Sequence, residues 1–358
     1  VNKRDNDTEE YRNALNKLRF SEGEKEQMIK NLLKSNDVKT VVFPKRRKLP
    51  RLAAIGLAAA LVFSMGAGAT VVYRKLASES FFGVFGAAHT EIVDHIGRPV
   101  GASCTDNGVT VTADAIIGDK YHYAVTYSIE KTDGTPFDTS RTVGENILPY
   151  GFSEDFSSVG AWGGGHGNSW FYDADPSDNA IQYVSMMESD QDIVGSTYKA
   201  DFRELMYFNE EGRRQTLVKG HWKLKFALNF EDASINLPAG QTISMQGTTA
   251  VIDAITLSPV AVRVDYTADS EPQWDHNGES GRMSEHDAAE SDKYLGVKIA
   301  LRLKNGTEKD FSGAGGGIKP ENGKSICQKG EMFNEIIPLE EVESVIVGDV
   351  TIPIDNVQ

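Results

Sequence analysis

Gly108–Tyr127 reads GVTVTADAIIGDKYHYAVTY and Gly247–Tyr266 reads GTTAVIDAITLSPVAVRVDY; the second overlies the first without a gap at a constant shift of 139 residues. Asp114, Ala115, Ile116 and Tyr127 recur as Asp253, Ala254, Ile255 and Tyr266. Each copy holds two strand-like runs about a short turn, the pattern of a hairpin used twice. Outward from these copies, apolar residues keep a period of two. Tyr121, Tyr123, Val125, Tyr127 and Ile129 alternate with smaller or polar residues, as do the runs Trp222–Phe230, Val260–Tyr266 and Leu295–Leu303. Period-two runs between Gly, Asp, Asn and Pro clusters predict half-buried antiparallel strands, and such strands pack as sandwiches. The chain is therefore expected to be mainly β, with one β-sandwich at 105–232 and a second at 233–358. Residues 74–104 are left as a linker or membrane-proximal cover.

A different segment precedes them. Leu52–Tyr73, LAAIGLAAALVFSMGAGATVVY, carries no charge. As a helix it would span roughly 33 Å, enough for a bilayer core of roughly 30 Å. Lys45, Arg46, Arg47, Lys48 and Arg51 crowd its N-terminal side, which predicts a cytoplasmic N-terminus and an extracellular C-terminus in the cell membrane. A cleaved signal peptide is the rival reading, but the segment exceeds the usual apolar core of about 7–15 residues and starts far into the chain, so an uncleaved signal-anchor is preferred. Gly56, Ala60, Ser64 and Gly68 recur every fourth residue, a spacing that lets helices pair as a homodimer and that also follows from a composition rich in small residues.

Charge divides at the same place. Residues 1–51 carry a net charge of +6 and residues 52–358 one of −21. The acidic outer portion offers no basic stripe in sequence, which argues against nucleic acid as a partner.

The segment 1–44 reads as a helical stub, followed by the basic run 45–51. Tyr11, Ala14, Leu15 and Leu18 fall on one helix face; Ser21 with Glu24 forms a capping box, and Met28, Ile29, Leu32 and Leu33 supply a second face. Two helices of about three turns bury too little to fold alone. Their apolar faces dock a cytoplasmic partner or lie as an amphipathic hairpin near the lipid bilayer, or the stub is disordered.

Chemistry is sparse. Metalloprotease, nucleophile-elbow and phosphate-loop motifs are missing, so no enzyme activity and no cofactor is expected. His122 is expected on a solvated strand face, and His166 and Trp162 in an ordinary glycine-rich loop. Gly160–Ser169 and Gly313–Gly317 are too rich in glycine for strand interiors and serve either recognition or close backbone passage. Asp173, Asp175 and Asp178 resemble the start of a calcium loop, yet Asp178 stands where glycine is needed and Val184 where a bidentate Glu belongs. Cys104 and Cys327 form a disulfide or remain two thiols.

Tyr11–Leu33 ahead of the basic run, Thr105–Phe137 and Phe333–Ile354 together resemble a family of Gram-positive bacterial single-pass membrane proteins. These are anti-sigma-factor-like, with an ectodomain of unknown function followed by an immunoglobulin-like module. The resemblance implies two immunoglobulin-like sandwiches outside the membrane and a sigma factor held by the cytoplasmic helices, with an outer sensor of an unknown extracellular ligand. Leu15, Leu18, Met28, Ile29, Leu32 and Leu33 are the expected partner-binding residues. The zinc-binding anti-sigma subtype is excluded because the stub lacks its His and Cys ligands. An envelope-anchored adhesion or ligand-binding protein is the alternative.

Overall fold

The repeated hairpins are strands β2 (Val109–Gly118) with β3 (His122–Lys131), and β11 (Thr248–Leu257) with β12 (Ala261–Ala268). Their likeness extends to an irregularity. The β2/β3 register shifts between Ala113 and Ala115, and the β11/β12 register shifts between Ile252 and Ala254. Asp114 and Asp253 thus sit at matching bulges. Each takes a hydroxyl from the facing strand: Ser128 Oγ to Asp114 at 2.6 Å, and Thr267 Oγ1 to Asp253 at 2.7 Å. A bulge re-aims one side chain and increases the local twist, and here that device occurs twice.

A computed structural model describes residues 76–159, 165–278 and 283–354. The predicted stub, the basic run and the apolar segment 52–73 lie outside the described residues, as does Trp162. Among the described residues no helix is long and apolar enough to cross a membrane.

The protein is mainly β. In the first module, β1 (Arg98–Asp106), β2, β3, β6 (Ile181–Ser189) and β5 (Gly165–Tyr172) form one antiparallel sheet in the order β1-β2-β3-β6-β5. Strands β4 (Tyr150–Val159), β7 (Thr197–Phe208) and β8 (Arg214–Ala227) form a second, in the order β4-β7-β8. The second module repeats the plan. Its larger sheet runs β10 (Thr242–Met245), β11, β12, β16 (Lys324–Met332), β15 (Gly315–Glu321), with β9 (Ile235–Leu237) also on β11. Its smaller sheet runs β14 (Glu308–Asp310), β13 (Ile299–Leu303), β17 (Val342–Val347), β18 (Val350–Pro353).

Each pair of sheets encloses a core. In the first, Val111, Val125, Tyr127 and Tyr183 meet Tyr198, Phe202, Trp222 and Leu224. Trp222 Nε1 donates to Val109 O at 2.9 Å and the Tyr127 and Tyr198 hydroxyls bond at 2.8 Å, so the polar atoms of these three buried rings are partnered. In the second, Ile252, Val264 and Tyr266 meet Ile299, Leu301 and Val345.

A third cluster lies between and beneath them. Helices α1 (Ala77–Phe85) and α2 (Thr90–Ile96) place Phe81, Phe85, Val93 and Ile96 against Ala115, Ile117, Ala124 and Val184 on the outer face of the first large sheet, together with Val260, Ala261 and Ile336 of the second module. This sheet is consequently apolar on both faces, which a strict alternation does not anticipate.

Several local expectations are corrected. Leu295 ends a helix, α3 (Glu285–Leu295), whose Ser284 cap accepts from Asp287 N at 3.0 Å. Lys329, 1% exposed, donates from Nζ to the carbonyls of Leu295, Val297 and Ser312, anchoring the end of this helix. Leu228 and Phe230 lie beyond the end of β8 but remain buried. Gly315–Gly317 and Gly165–Ser169 are strand residues after all, because both segments press against neighbouring atoms that leave no room for a Cβ at Gly315 and Gly167.

Candidate functional site

The turn between β2 and β3 places Asp119 where its carboxylate accepts from Tyr121 N at 2.9 Å and His122 N at 2.8 Å. His122 begins β3 and points the ring back to the same carboxylate, with Nδ1 to Asp119 Oδ1 at 3.0 Å. Opposite His122 on β6 is Glu188. Its Oε2 lies 3.6 Å from His122 Nε2 and 3.2 Å from His166 Nε2, the latter ring supplied by β5. The solvated His122 expected from alternation is thus incorrect: it is 1% exposed, because α1, α2 and the second module cover that sheet face.

The second module completes the cluster. Ser258 Oγ donates to Asp119 Oδ2 at 2.7 Å, and Gln328 Nε2 donates to Glu188 Oε1 at 2.6 Å. Arg263 Nη1 reaches Ser189 O at 2.8 Å, its guanidinium stacks 4.0 Å over Tyr121, and Asp265 and Gln328 take its remaining donors. Gly330 admits the approach: a Cβ there would lie 2.8 Å from Glu188 Oε2.

Removing an ion from water costs several kcal/mol, so buried charges persist only when paired. Burial pushes His122 down, but Asp119 and Glu188 outweigh it and raise the imidazole to about 9. Burial pushes Glu188 up, and His122 and His166 bring it to about 2. Asp119 is likewise held below its ordinary value against desolvation by His122, Ser258 and the Tyr121 amide. Near neutrality, then, an imidazolium lies between two carboxylates. It can donate, but it cannot act as a general base. His122 Nε2 and Glu188 Oε2, both buried, have no hydrogen-bond partner among the described residues.

Both of these residues lie among the walls of a cleft of about 680 Å³ formed by the two modules. Trp170, Met187, Phe311 and Phe333 give it apolar surface, and Glu331, Asn168 and Asn334 give it polar groups. Desolvation raises the Glu331 carboxyl above its ordinary value. A mixed lining with a few convergent polar atoms suits binding of a small molecule or a side chain.

Other residues singled out in sequence do not join this site. Asp173, Asp175 and Asp178 each accept a backbone N–H two residues on, forming a series of local turns. Among the described residues, no group of three His, Cys, Asp or Glu could hold a metal ion. Cys104 and Cys327 are free thiols, the latter buried. The six partner-binding candidates and the five membrane-flanking cations lie outside the described residues. Sequence reasoning missed the Asp119–His122–Glu188 cluster, although Asp119 and Ser258 already stood at equivalent positions of the repeat.

Comparison with known proteins adds a family of unassigned role. Residues 45–131 match the model described as Domain of unknown function (DUF4179). A domain of unknown function is therefore present, as the resemblance implied, and its match runs from the basic run through the apolar segment into β3. No curated protein matches. A solved structure titled "The crystal structure of the conserved domain protein from Bacillus anthracis" is similar at 14% identity and a TM-score of 0.42, covering 70% of this chain and 76% of that one.

Proposed function

We propose that this chain is a single-pass membrane regulator of anti-sigma-factor-like type. Residues 52–73 anchor it, the N-terminal helices dock a sigma factor through Leu15, Leu18, Met28, Ile29, Leu32 and Leu33, and the β-rich portion outside binds a ligand. Lys45–Arg51 hold the stub against anionic lipid. The two modules are immunoglobulin-like: setting aside β1, the order β2-β3-β6-β5 over β4-β7-β8 follows the ABED and CFG sheets of a constant-type domain, and the second module has the same order in β11-β12-β16-β15 over β13-β17-β18, with β9, β10 and β14 added at its edges.

The observation that carries the sensor reading is the cleft between the modules, walled by both and adjoining a buried ionic junction. A ligand there touches both modules at once, so its binding free energy depends on how they are docked, which is what a sensor needs.

The test is capture of a sigma factor by the full-length chain from membranes of the native host, beside a Leu18→Asp, Leu32→Asp variant. Capture by the native chain alone is expected. Equal capture by both overturns the docking faces. Absence of any sigma factor leaves the alternative, an envelope-anchored ligand-binding protein with no regulatory role.

A further inference from the structure

The outer face of the β4-β7-β8 sheet departs from the acidity around it. Residues 52–358 carry a net charge of −21. Yet β8 turns Lys219, His221, Lys223 and Lys225 outward in alternation with the buried Gly220, Trp222 and Leu224, and β7 adds Lys199 and Arg203 to the same face. The register sets Lys199 directly opposite Lys225, Asp201 opposite Lys223 and Arg203 opposite His221. Asp201 pairs with two of these cations, at 3.3 Å from Lys223 and 3.6 Å from Arg203, and lies 2.7 Å from His221 Nε2. Glu154 pairs with Arg203 at 3.3 Å from the neighbouring strand. Lys199, Lys219 and Lys225 have no ion pair among the described residues.

Like charges directly opposite on a sheet destabilise it, so the Lys199–Lys225 pair does nothing for the fold. It does create a row. Successive outward residues of one strand stand about 7 Å apart, and adjacent strands about 4.8 Å apart. The result is a cationic strip along β8 and β7, bordered by the Asp106 carboxylate of β1, which accepts from His221 N at 2.9 Å.

We infer that this face binds a linear polyanion, a base-free polyol-phosphate chain, through Lys199, Lys219, Lys223 and Lys225. Extended phosphodiesters match a line of separate ammonium groups, each a point charge that needs no fixed partner geometry. Single-stranded nucleic acid would in addition want a series of aromatic platforms for its bases, and among the described residues Phe156 is the exposed Phe, Tyr or Trp of this face. The inference is independent of the cleft, of the membrane segment and of any sigma factor.

The experiment measures binding of the full-length chain, in detergent micelles, to synthetic poly(glycerol phosphate) and to oligodeoxythymidylate over a range of salt. Salt-sensitive binding to poly(glycerol phosphate) is expected. Lys199→Ala with Lys225→Ala should reduce the slope of log affinity against log salt by about 1.4, taking the coefficient for flexible single strands. Lys199→Arg with Lys225→Arg should keep the slope, and Lys298→Ala with Lys319→Ala, on the second module, should leave it unchanged. Thermal unfolding of the first variant should be unaltered or shifted upward, since a like-charge pair is gone. No binding to poly(glycerol phosphate), a slope indifferent to the Ala pair, or tighter binding to oligodeoxythymidylate would overturn the inference.

Discussion

Ser258 Oγ donates a 2.7 Å hydrogen bond to Asp119 Oδ2, and the two residues occupy the same place in successive copies of one hairpin. Their local roles also correspond. Each accepts from the backbone N–H groups two and three residues on, and each turn closes with a 2.9 Å bond, Asp119 N to His122 O and Ser258 N to Ala261 O. The turns therefore meet head to head. One copy carries a carboxylate and the other a hydroxyl, so the pair bonds here where two carboxylates would repel. Ser258→Ala should cost about 1.5–3 kcal/mol, the range for a hydrogen bond to a charged group. Asp119→Ala should cost more, about 3–5 kcal/mol, because it strands the His122 imidazolium without its nearer counter-ion. Denaturant unfolding of both variants and of the double variant measures this; strictly additive losses would show that the two residues are not coupled.

The same cluster predicts an alkaline limit to stability. His122 is raised from 6.5 to about 9, so its contribution is complete below pH 6.5 and is lost as pH rises through 9. Glu188 is lowered from 4.5 to about 2, so its contribution is complete above pH 4.5 and is lost as pH falls toward 2. Thermal unfolding between pH 5 and 10 should show Tm declining on the alkaline side, with that decline reduced in His122→Gln. An identical alkaline limb in the two proteins would remove His122 as its cause.

Two glycines test how tightly the junction is built. At Gly330 a Cβ would lie 2.8 and 3.0 Å from the Glu188 carboxylate and 3.0 Å from Val262 O. Glu188 is buried and held by Gln328, so it has nowhere to move, and Gly330→Ala should cost about 1–3 kcal/mol. At Gly315 a Cβ would collide with the His166 ring at 2.2 Å, but that side chain is 39% exposed and can swing into the cleft. Gly315→Ala should therefore disturb stability less while altering the cleft. Unfolding midpoints of the two variants decide it, and a larger loss at Gly315 would contradict the packing argument.

Much of the architecture was legible because it rests on short-range pattern. The hairpin repeat, its turns and the period-two strands follow from residues adjacent in sequence. His122 was misread for a long-range reason: ADAII (Ala113–Ile117) and YAV (Tyr123–Val125) are nearly continuous apolar runs, the mark of a sheet buried on both faces, and the elements that bury the second face are the distant α1, α2 and Val260. Helix α3 did carry a local sign, Ser284 before an acidic first turn, masked by the apolar period that begins at Leu295. Gly315 lies in a run whose glycine content already stood out and Gly330 does not, but at both positions the close approach comes from a side chain of the other module, His166 and Glu188. The expectation that the outer portion offers no basic stripe overlooked Lys219, Lys223 and Lys225, which alternate in plain sequence, and Lys199 joins them only through the β7/β8 register.

The two thiols should behave differently. Cys327 sits in β16 at the heart of the second core, and burial pushes its thiol up to about 12. The thiolate is the reactive form, so at pH 8 native Cys327 is both shielded and protonated. Its weak S–H donor reaches Ser325 O at 3.7 Å. Cys104, on β1, is partly exposed. A disulfide-exchange reagent at pH 8 should therefore titrate one thiol in the native protein, lost in Cys104→Ser, and two after unfolding in denaturant. Two fast-reacting native thiols would mean that the second core opens readily. No thiol in either state would mean that Cys104 and Cys327 are joined, with β1 drawn to β16 against the packing described above.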